Sequence, residues 1–458
     1  MASVIVIGGS LAGLQTAIIL LNLGLKVTVL EKAQSVADGG SGIILGGDTI
    51  TFLRQFDKDK VSLAVPITSR RYINRQDKQV GEEGRPQLST CWIVLYNVLR
   101  ANFDQPRNGV SNPNADYRLG CIVTDTVFDP EAQKMRVEYT SDSAQKSLEA
   151  DLVIIADGPS SQFRTKYTPQ SKRVYAGYVG FRGSAVESEL PEECKMLSGY
   201  FTNFLAGKND GTGNTHFLCY VVPSPESLEK KDRLVYWAWY RNYRNRGLPL
   251  NGGRNTNEQK DLGEVLTDKN GVKHEWCVPK GLVSPEVVED LSKHISDLPP
   301  SMQALVKATK EPLIQAITDV FPPTSKLIHE NGHVIFVGDT VLGPRPHTSS
   351  STNQGSLHAL SLAAHLAGTT SLSSLLSLSE MSTPARRAQV FAELETNLQK
   401  NWEKQLVAHA RMIYATGKEI GTRQQFGIHP YNVDHERKSP TPEEEDRRVW
   451  SGAATVAY

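Results

Sequence analysis

Val4-Ile5-Val6-Ile7-Gly8-Gly9-Ser10-Leu11-Ala12-Gly13, with Glu31 closing the run Lys26–Leu30, is the stretch that decides the fold. Four consecutive β-branched apolar residues suit a strand buried on both faces of a parallel sheet. Leu11–Leu23 is dense in apolar residues, free of proline and stopped by Gly24, so it reads as a helix, and Lys26–Leu30 reads as a second strand. Together they make a βαβ unit. Gly8 permits the sharp turn and Gly13 lets helix and strand pack closely. Ser10 replaces the middle glycine of Gly-x-Gly-x-x-Gly with the smallest residue that also donates a hydrogen bond. Free N–H groups and the dipole at such a helix start attract a pyrophosphate. A carboxylate some twenty residues on, here Glu31, accepts from the ribose hydroxyls of an adenosine.

Two further patches follow buried strands. Leu152–Ala156 runs into Asp157-Gly158-Pro159-Ser160-Ser161, with Arg164 close behind. Val334–Val337 runs into Gly338-Asp339-Thr340, then Arg345-Pro346-His347-Thr348, then a helix opening at Thr352-Asn353. A carboxylate at a strand end beside a helix N-terminus offers two things at once. The acid accepts from a ribityl hydroxyl, and the dipole faces the negative charge that reduction places on an isoalloxazine. Each patch alone also reads as a solvated turn, but three in this order point to one nucleotide site.

The rest of the chain sets limits. The 458 residues hold 50 Lys+Arg and 50 Asp+Glu, a net charge of zero that gives no field favouring nucleic acid. With 36 glycines beside 39% hydrophobic residues, the apolar share is that of globular proteins, which excludes a wholly disordered chain. Cys91, Cys121, Cys194, Cys219 and Cys277 are odd in number and far apart, matching neither a disulfide framework nor a metal site. No basic residue precedes the first apolar run, and no long apolar stretch suggests a membrane span. A soluble, cytoplasmic protein is expected. Gln105–Tyr117 reads as a surface loop and Thr369–Thr383 as a Ser/Thr-rich flexible one. From Arg173 to Arg241 the sequence turns aromatic and strand-like, as in Leu234-Val235-Tyr236-Trp237-Ala238-Trp239-Tyr240, where Trp237 and Trp239 share one face and Tyr236 and Tyr240 the other.

The three patches resemble the glycine-rich, Asp-Gly and Gly-Asp fingerprints of single-component FAD-dependent aromatic hydroxylases, the p-hydroxybenzoate hydroxylase-like flavoprotein monooxygenases. The segments Gly177–Gly183, Tyr236–Asn242, Val278–Leu282 and Arg345–Thr348 resemble most the 2,6-dihydroxypyridine 3-hydroxylase group. The resemblance spans roughly residues 3–425 and implies an α/β fold. A Rossmann-like FAD-binding domain is expected from 1–170 and 321–368, with an antiparallel-sheet substrate domain inserted over 171–320. A helical C-terminal region over 369–428 and a tail over 429–458 complete it.

It further implies that Gly8, Ser10 and Gly13 line the FAD pyrophosphate and Glu31 binds the ribose. Asp157 and Gly158 would serve the FAD and NAD(P)H side, Gly338 and Asp339 the ribityl chain, and Pro346 to Asn353, including Thr352, the isoalloxazine. The implied reaction takes hydride from NADPH or NADH and adds O2 at the flavin C4a. The resulting hydroperoxide then hydroxylates an electron-rich aromatic or N-heteroaromatic ring, and a homodimer is the assembly that fits. His347 is the candidate base, because imidazole has the right reference pKa and lies in the loop expected to touch the flavin. His216, Tyr220, Trp237 and Trp239 are candidates for the substrate wall, and Arg182 reads either as an anchor for an acidic substituent or as the partner of a surface acid. Departures from the family pattern are Ser349 and Ser351 in place of glycines, His358 in place of an acid, and Trp92 where an Arg or Gln often starts a helix. An oxidase or epoxidase of natural-product tailoring and a non-catalytic FAD-binding protein remain open beside this reading.

Overall fold

The computed structural model describes residues 2–36, 41–58, 62–104, 112–207, 214–225, 229, 232–243, 260–367, 370–377 and 381–427. Ser3–Ile7 runs parallel to Lys26–Leu30 on one side and Leu152–Ile155 on the other, with Val4 opposite both Val27 and Leu152. The full sheet has the order Ile328–His329, Val334–Phe336, Leu152–Ile155, Ser3–Ile7, Lys26–Leu30, Ala115–Arg118. Its pairs are parallel except for the short first strand. The buried runs Val4–Ile7 and Leu152–Ile155 lie at its centre, as strands covered on both faces must. Helix Leu11–Asn22 packs between helices Trp92–Asp104 and Ser351–Ala367. All three patches therefore end at the same, C-terminal edge of adjacent parallel strands, where open α/β sheets bind ligands.

A second, eight-stranded sheet holds the aromatic segment. Its middle is antiparallel: Leu313–Phe321, Lys172–Val186, Leu234–Asn242, Asn214–Val222 and Phe201–Gly207. One face carries Phe181, Phe217, Trp237 and Trp239 into a core closed by helices Pro285–Lys293 and Pro300–Ala308. The other face turns toward the first sheet. Two strands from far upstream, Arg70–Ile73 and Gln79–Glu83, complete the array, Arg70 pairing in parallel with Phe201. The inserted sheet is thus not confined to 171–320, because the open edge of Phe201–Gly207 is satisfied by an earlier hairpin.

Two loop expectations change. Ala115–Arg118 forms the edge strand of the parallel sheet, pairing with Val27–Leu30, while 105–111 lie outside the described residues. Within the Ser/Thr-rich stretch Thr370–Leu376 is helical, since its leucines recur at helical spacing and Leu375 is buried. The tail over 429–458 lies outside the described residues. Helix Pro384–Leu398 passes through one wide turn, Gln399–Glu403, around buried Trp402 and continues as Lys404–Phe426. Among the described residues no helix is long and apolar enough to cross a membrane.

Candidate active site

The first turn is held by its own backbone. Gly8 has φ +100°, and a Cβ there would fall 2.3 Å from the Ala156 carbonyl oxygen; one on Gly13 would fall 1.9 Å from the Gly8 oxygen. The Gly9 N–H donates to Glu31 Oε2 at 2.7 Å and the Ala33 N–H to Oε1 at 2.9 Å, which fixes the carboxylate at the strand end. Ser10 caps helix Leu11–Asn22 without a side-chain hydrogen bond, and no acid stands in the first turn. Its positive end is left uncompensated. Trp92, stacked on Tyr96, sends its indole N–H to Ser10 Oγ at 3.4 Å and shelters this turn.

The other two patches are tied to each other. Thr340 Oγ1 donates to Asp157 Oδ1 at 3.0 Å and accepts from the Gly158 N–H at 3.2 Å. Buried Arg164 donates to the carbonyls of Thr340 (3.1 Å), Asp339 (3.5 Å) and Pro159. Burial pushes the Asp157 carboxyl above its ordinary value and the Asp339 carboxyl up to about 6. Asp339 accepts from Ser351 Oγ at 2.7 Å and, weakly, from Gln354 Nε2 at 3.4 Å. It is therefore a desolvated acid short of donors. Helix Ser351–Ala367 also begins without an acid in its first turn.

A single cavity of about 780 Å3 connects these features, and Gly8, Ser10, Glu31, Asp157, Gly158, Asp339, Pro346 and Thr352 all line it. Glycine cradle, uncompensated helix starts and a donor-poor carboxylate fit an elongated dinucleotide with a polyhydroxy link. The residues present thus fit FAD. Gly13 and Gly338 stand behind the lining as packing positions; Gly338 has φ +63°, and a Cβ there would meet the Ala12 methyl at 2.5 Å. Asn353 departs from expectation. Its Oδ1 accepts from the N–H groups of Asp48 (2.9 Å) and Thr49 (3.2 Å), and its Nδ2 donates to Asp48 Oδ2 (2.7 Å). The side chain is committed to capping helix Gly47–Phe56 instead of facing a cofactor.

The loop before helix Ser351–Ala367 is braced from behind. Arg345 makes a bidentate, buried pair with Asp319, Nε to Oδ1 at 2.8 Å and NH2 to Oδ2 at 2.6 Å. Ser349 adopts φ +53°, so the left-handed conformation that favours glycine persists although the residue is serine. His358 uses Nδ1 to accept the Gly338 N–H at 3.0 Å, and burial pulls its pKa down to about 3. An imidazole locked neutral replaces the expected acid.

His347 is corrected as well. Its Nε2 lies 2.7 Å from Tyr178 Oη, its ring stacks near Tyr240 and His216, and it is absent from the cavity lining. Burial drives its pKa well below the ordinary value. A residue behind the wall with so weak a basicity is poorly placed to take a substrate proton. Gly421 of the C-terminal helix explains the fit, since a Cβ there would fall 2.8 Å from the His347 ring and 2.6 Å from Tyr178 Oη.

Register decides the far wall. Arg182 opposes Ala238, His216 opposes Tyr240 and Tyr220 opposes Tyr236, so these residues share one face. Arg182, Leu218, Tyr220, Tyr236, Tyr240 and Gln315 line the cavity, with Phe201 at its edge. Trp237 and Trp239 point the other way; Trp237 Nε1 donates to Thr309 Oγ1 at 2.8 Å inside the second core. His216 shares the cavity-side face but lies under Tyr240, 5.2 Å between ring centres. The wall is thus made by the tyrosine face of the strand and not the tryptophan face. Tyr236, Tyr240 and Gln315 were missed, and the alternation could have found them once Tyr220 was chosen, while Arg182 stands on the wall as the anchor reading required. Strand Gly42–Ile44 closes the approach, as a Cβ on Gly42 would meet Tyr220 and Tyr236 at 2.7 Å. Among the described residues no cluster of His, Cys, Asp or Glu is placed to hold a metal ion.

The chain is similar to known proteins over most of its length. A family model described as FAD binding domain-like matches residues 175–319. The chain is 26% identical over 348 residues to 2,6-dihydroxypyridine 3-monooxygenase of Paenarthrobacter nicotinovorans, covering 75% of this chain and 78% of that one. It is 25% identical over 209 residues to 3-hydroxybenzoate 6-hydroxylase of Klebsiella oxytoca, covering 42% and 49%. Among solved structures, 2,6-dihydroxypyridine-3-hydroxylase from Arthrobacter nicotinovorans superposes with a TM-score of 0.73 over 96% of this chain and 98% of its own, at 22% identity.

Proposed function

We propose that this chain is an FAD-dependent, NAD(P)H-consuming monooxygenase that hydroxylates a small, electron-rich phenol or hydroxylated N-heteroaromatic with O2, a reading supported by its likeness to aromatic monooxygenases. The ring sits between the loop Pro344–Thr352 and the tyrosine wall. One observation carries this reading: the cradle at Gly8–Ser10 and the sheet face bearing Tyr220, Tyr236 and Tyr240 open into the same cavity. Bound in the cradle, FAD supplies the two-electron exchange between NAD(P)H and O2.

The chain's own share is holding, shielding and orienting. The N-terminus of helix Leu11–Asn22 holds the pyrophosphate, Glu31 the ribose and Asp339 a ribityl hydroxyl, while Asp157 and Gly158 face the dinucleotide from the neighbouring strand. Helix Ser351–Ala367 directs its positive end at the ring system, where negative charge develops. Burial holds the Tyr220 phenol well above its ordinary pKa and the Tyr240 phenol up to about 12. Both are neutral hydroxyls that can fix a substrate oxygen. Gly42–Ile44 and the Arg345-braced loop limit water at the reacting ring. None of the five cysteines is in a disulfide, which suits a cytoplasmic setting.

The test is turnover of FAD-loaded protein with NADH or NADPH over a panel of hydroxypyridines and phenols. A member of the panel is expected to stimulate NAD(P)H oxidation and gain one oxygen by mass. Loaded protein that no aromatic stimulates would overturn the proposal.

A further inference from the structure

The cavity's far wall holds a charge that the roles above leave unused. Arg182 lies mid-strand in Lys172–Val186, 9% exposed, and its guanidinium lines the cavity. The small side chain of Ala238 opposite lets it lean diagonally, and one terminal nitrogen donates to Tyr236 Oη at 2.5 Å. Its Nε is buried without a partner. Among the described residues no Asp or Glu pairs with it; the groups that act on it electrostatically are Tyr220, Tyr236 and Tyr240, with Cys277 and His347 also within its field.

A buried guanidinium is costly unless its charge is met. Arg345, another buried arginine beside the cavity, has Asp319 for this purpose. Tyr220 and Tyr240 cannot become phenolate counter-ions near neutral pH, since burial holds both protonated. The carboxylates that do line the cavity, Glu31, Asp157 and Asp339, stand on the cofactor side, and Asp157 and Asp339 face Arg164 instead. Gln315 lines the same wall from the neighbouring strand, diagonal to Arg182 across the Gly180–Gln315 pair. A fork of N–H donors next to a carboxamide suits an oxygen anion.

We propose that Arg182 is the counter-charge for an anionic oxygen on the substrate, a carboxylate or an ionised ring hydroxyl, so the cavity selects aromatic anions over neutral arenes of the same shape. This rests on the hydroxylase reading of the same cavity. Tyr236 orients the guanidinium, and Gln315 supplies a further donor to the anion. No bond is made or broken by Arg182; it holds the negative charge that also enriches the ring in electrons.

The experiment is ligand binding to FAD-loaded protein, read by perturbation of the flavin absorbance. The probes are 3-hydroxybenzoate, its uncharged amide 3-hydroxybenzamide, and 2,6-dihydroxypyridine titrated across its own ionisation. Wild type is expected to bind an anion at least about thirtyfold more tightly than the neutral counterpart. Whether the benzoate or the ionised pyridine shows this preference tells carboxylate from ring oxyanion. Arg182→Gln should abolish the preference, leaving amide affinity and flavin content unchanged. Arg182→Lys should keep the sign of the preference with weaker binding, and it serves as the test if the glutamine variant does not fold. Equal binding of anion and amide by wild type overturns the assignment, as does a glutamine variant that weakens both alike. If neutral aromatics still stimulate NAD(P)H oxidation in that event, the hydroxylase reading stands. If no aromatic binds or stimulates, that reading fails first.

Discussion

The two halves of the cavity are built on different principles. On the cofactor side the chain offers backbone: glycine turns, strand ends, helix starts, and carboxylates fixed by neighbouring N–H groups, as Glu31 is by Gly9 and Ala33. On the substrate side it offers side chains from several strands, brought onto one face by antiparallel register. The first kind of site tolerates little change and serves one ligand. The second can be rewritten residue by residue on a constant sheet, and so is where specificity resides.

The comparison can be broken most severely on the backbone side. Gly8→Ala puts a Cβ against the Ala156 carbonyl at φ +100° and should cost more than about 4 kcal/mol. Failure to recover soluble, flavin-holding protein is the expected result, and a yellow variant of normal melting temperature would refute the cradle. Asp319→Ala leaves Arg345 buried and unpaired behind the loop, with an expected loss of about 3–5 kcal/mol in denaturant unfolding.

Asp339→Asn should separate stability from function. A carboxyl raised to about 6 when folded ionises earlier in the unfolded chain, so the empty fold loses stability as pH climbs from about 4 through 6. The asparagine variant escapes this cost and should be more stable at pH 8 by about 1–3 kcal/mol without flavin, yet bind FAD more weakly. Stability unchanged at pH 8 would remove the desolvation argument.

Smaller effects sharpen the substrate side. Trp237→Phe forfeits the hydrogen bond to Thr309 and should cost about 1 kcal/mol of stability with no change in substrate KM. A large KM change would put the tryptophan face back in the wall. His347→Gln should leave the pH profile of kcat in place, because the imidazole is absent from the cavity lining and burial lowers its pKa. Disappearance of an acidic limb would restore His347 as the base.

The same contrast governs what could be read from the sequence. Gly8, Glu31, Asp157 and Asp339 follow a local grammar, a strand, a turn and a helix within one short segment, so their convergence on one cavity was legible. Tyr236 was not, and for Arg182 the choice between substrate anchor and surface ion pair stayed open, because which residue of one strand faces which of another is set by long-range pairing. The choice between the Trp and Tyr faces turns on a single-residue phase. Asn353 and His347 stand in the expected segment, but the helices beside it, Gly47–Phe56 and Lys404–Phe426, draw their side chains away from the cavity.

The hairpin Arg70–Glu83 has a practical consequence for protein engineering. Its strands are encoded a hundred residues before the sheet they finish, on the far side of a stretch that belongs to the dinucleotide body. A chimaera that swaps in a foreign specificity module by exchanging one uninterrupted segment would orphan this ribbon and bare the border at Phe201–Gly207. Recombination between such enzymes should therefore succeed only when both segments are exchanged together.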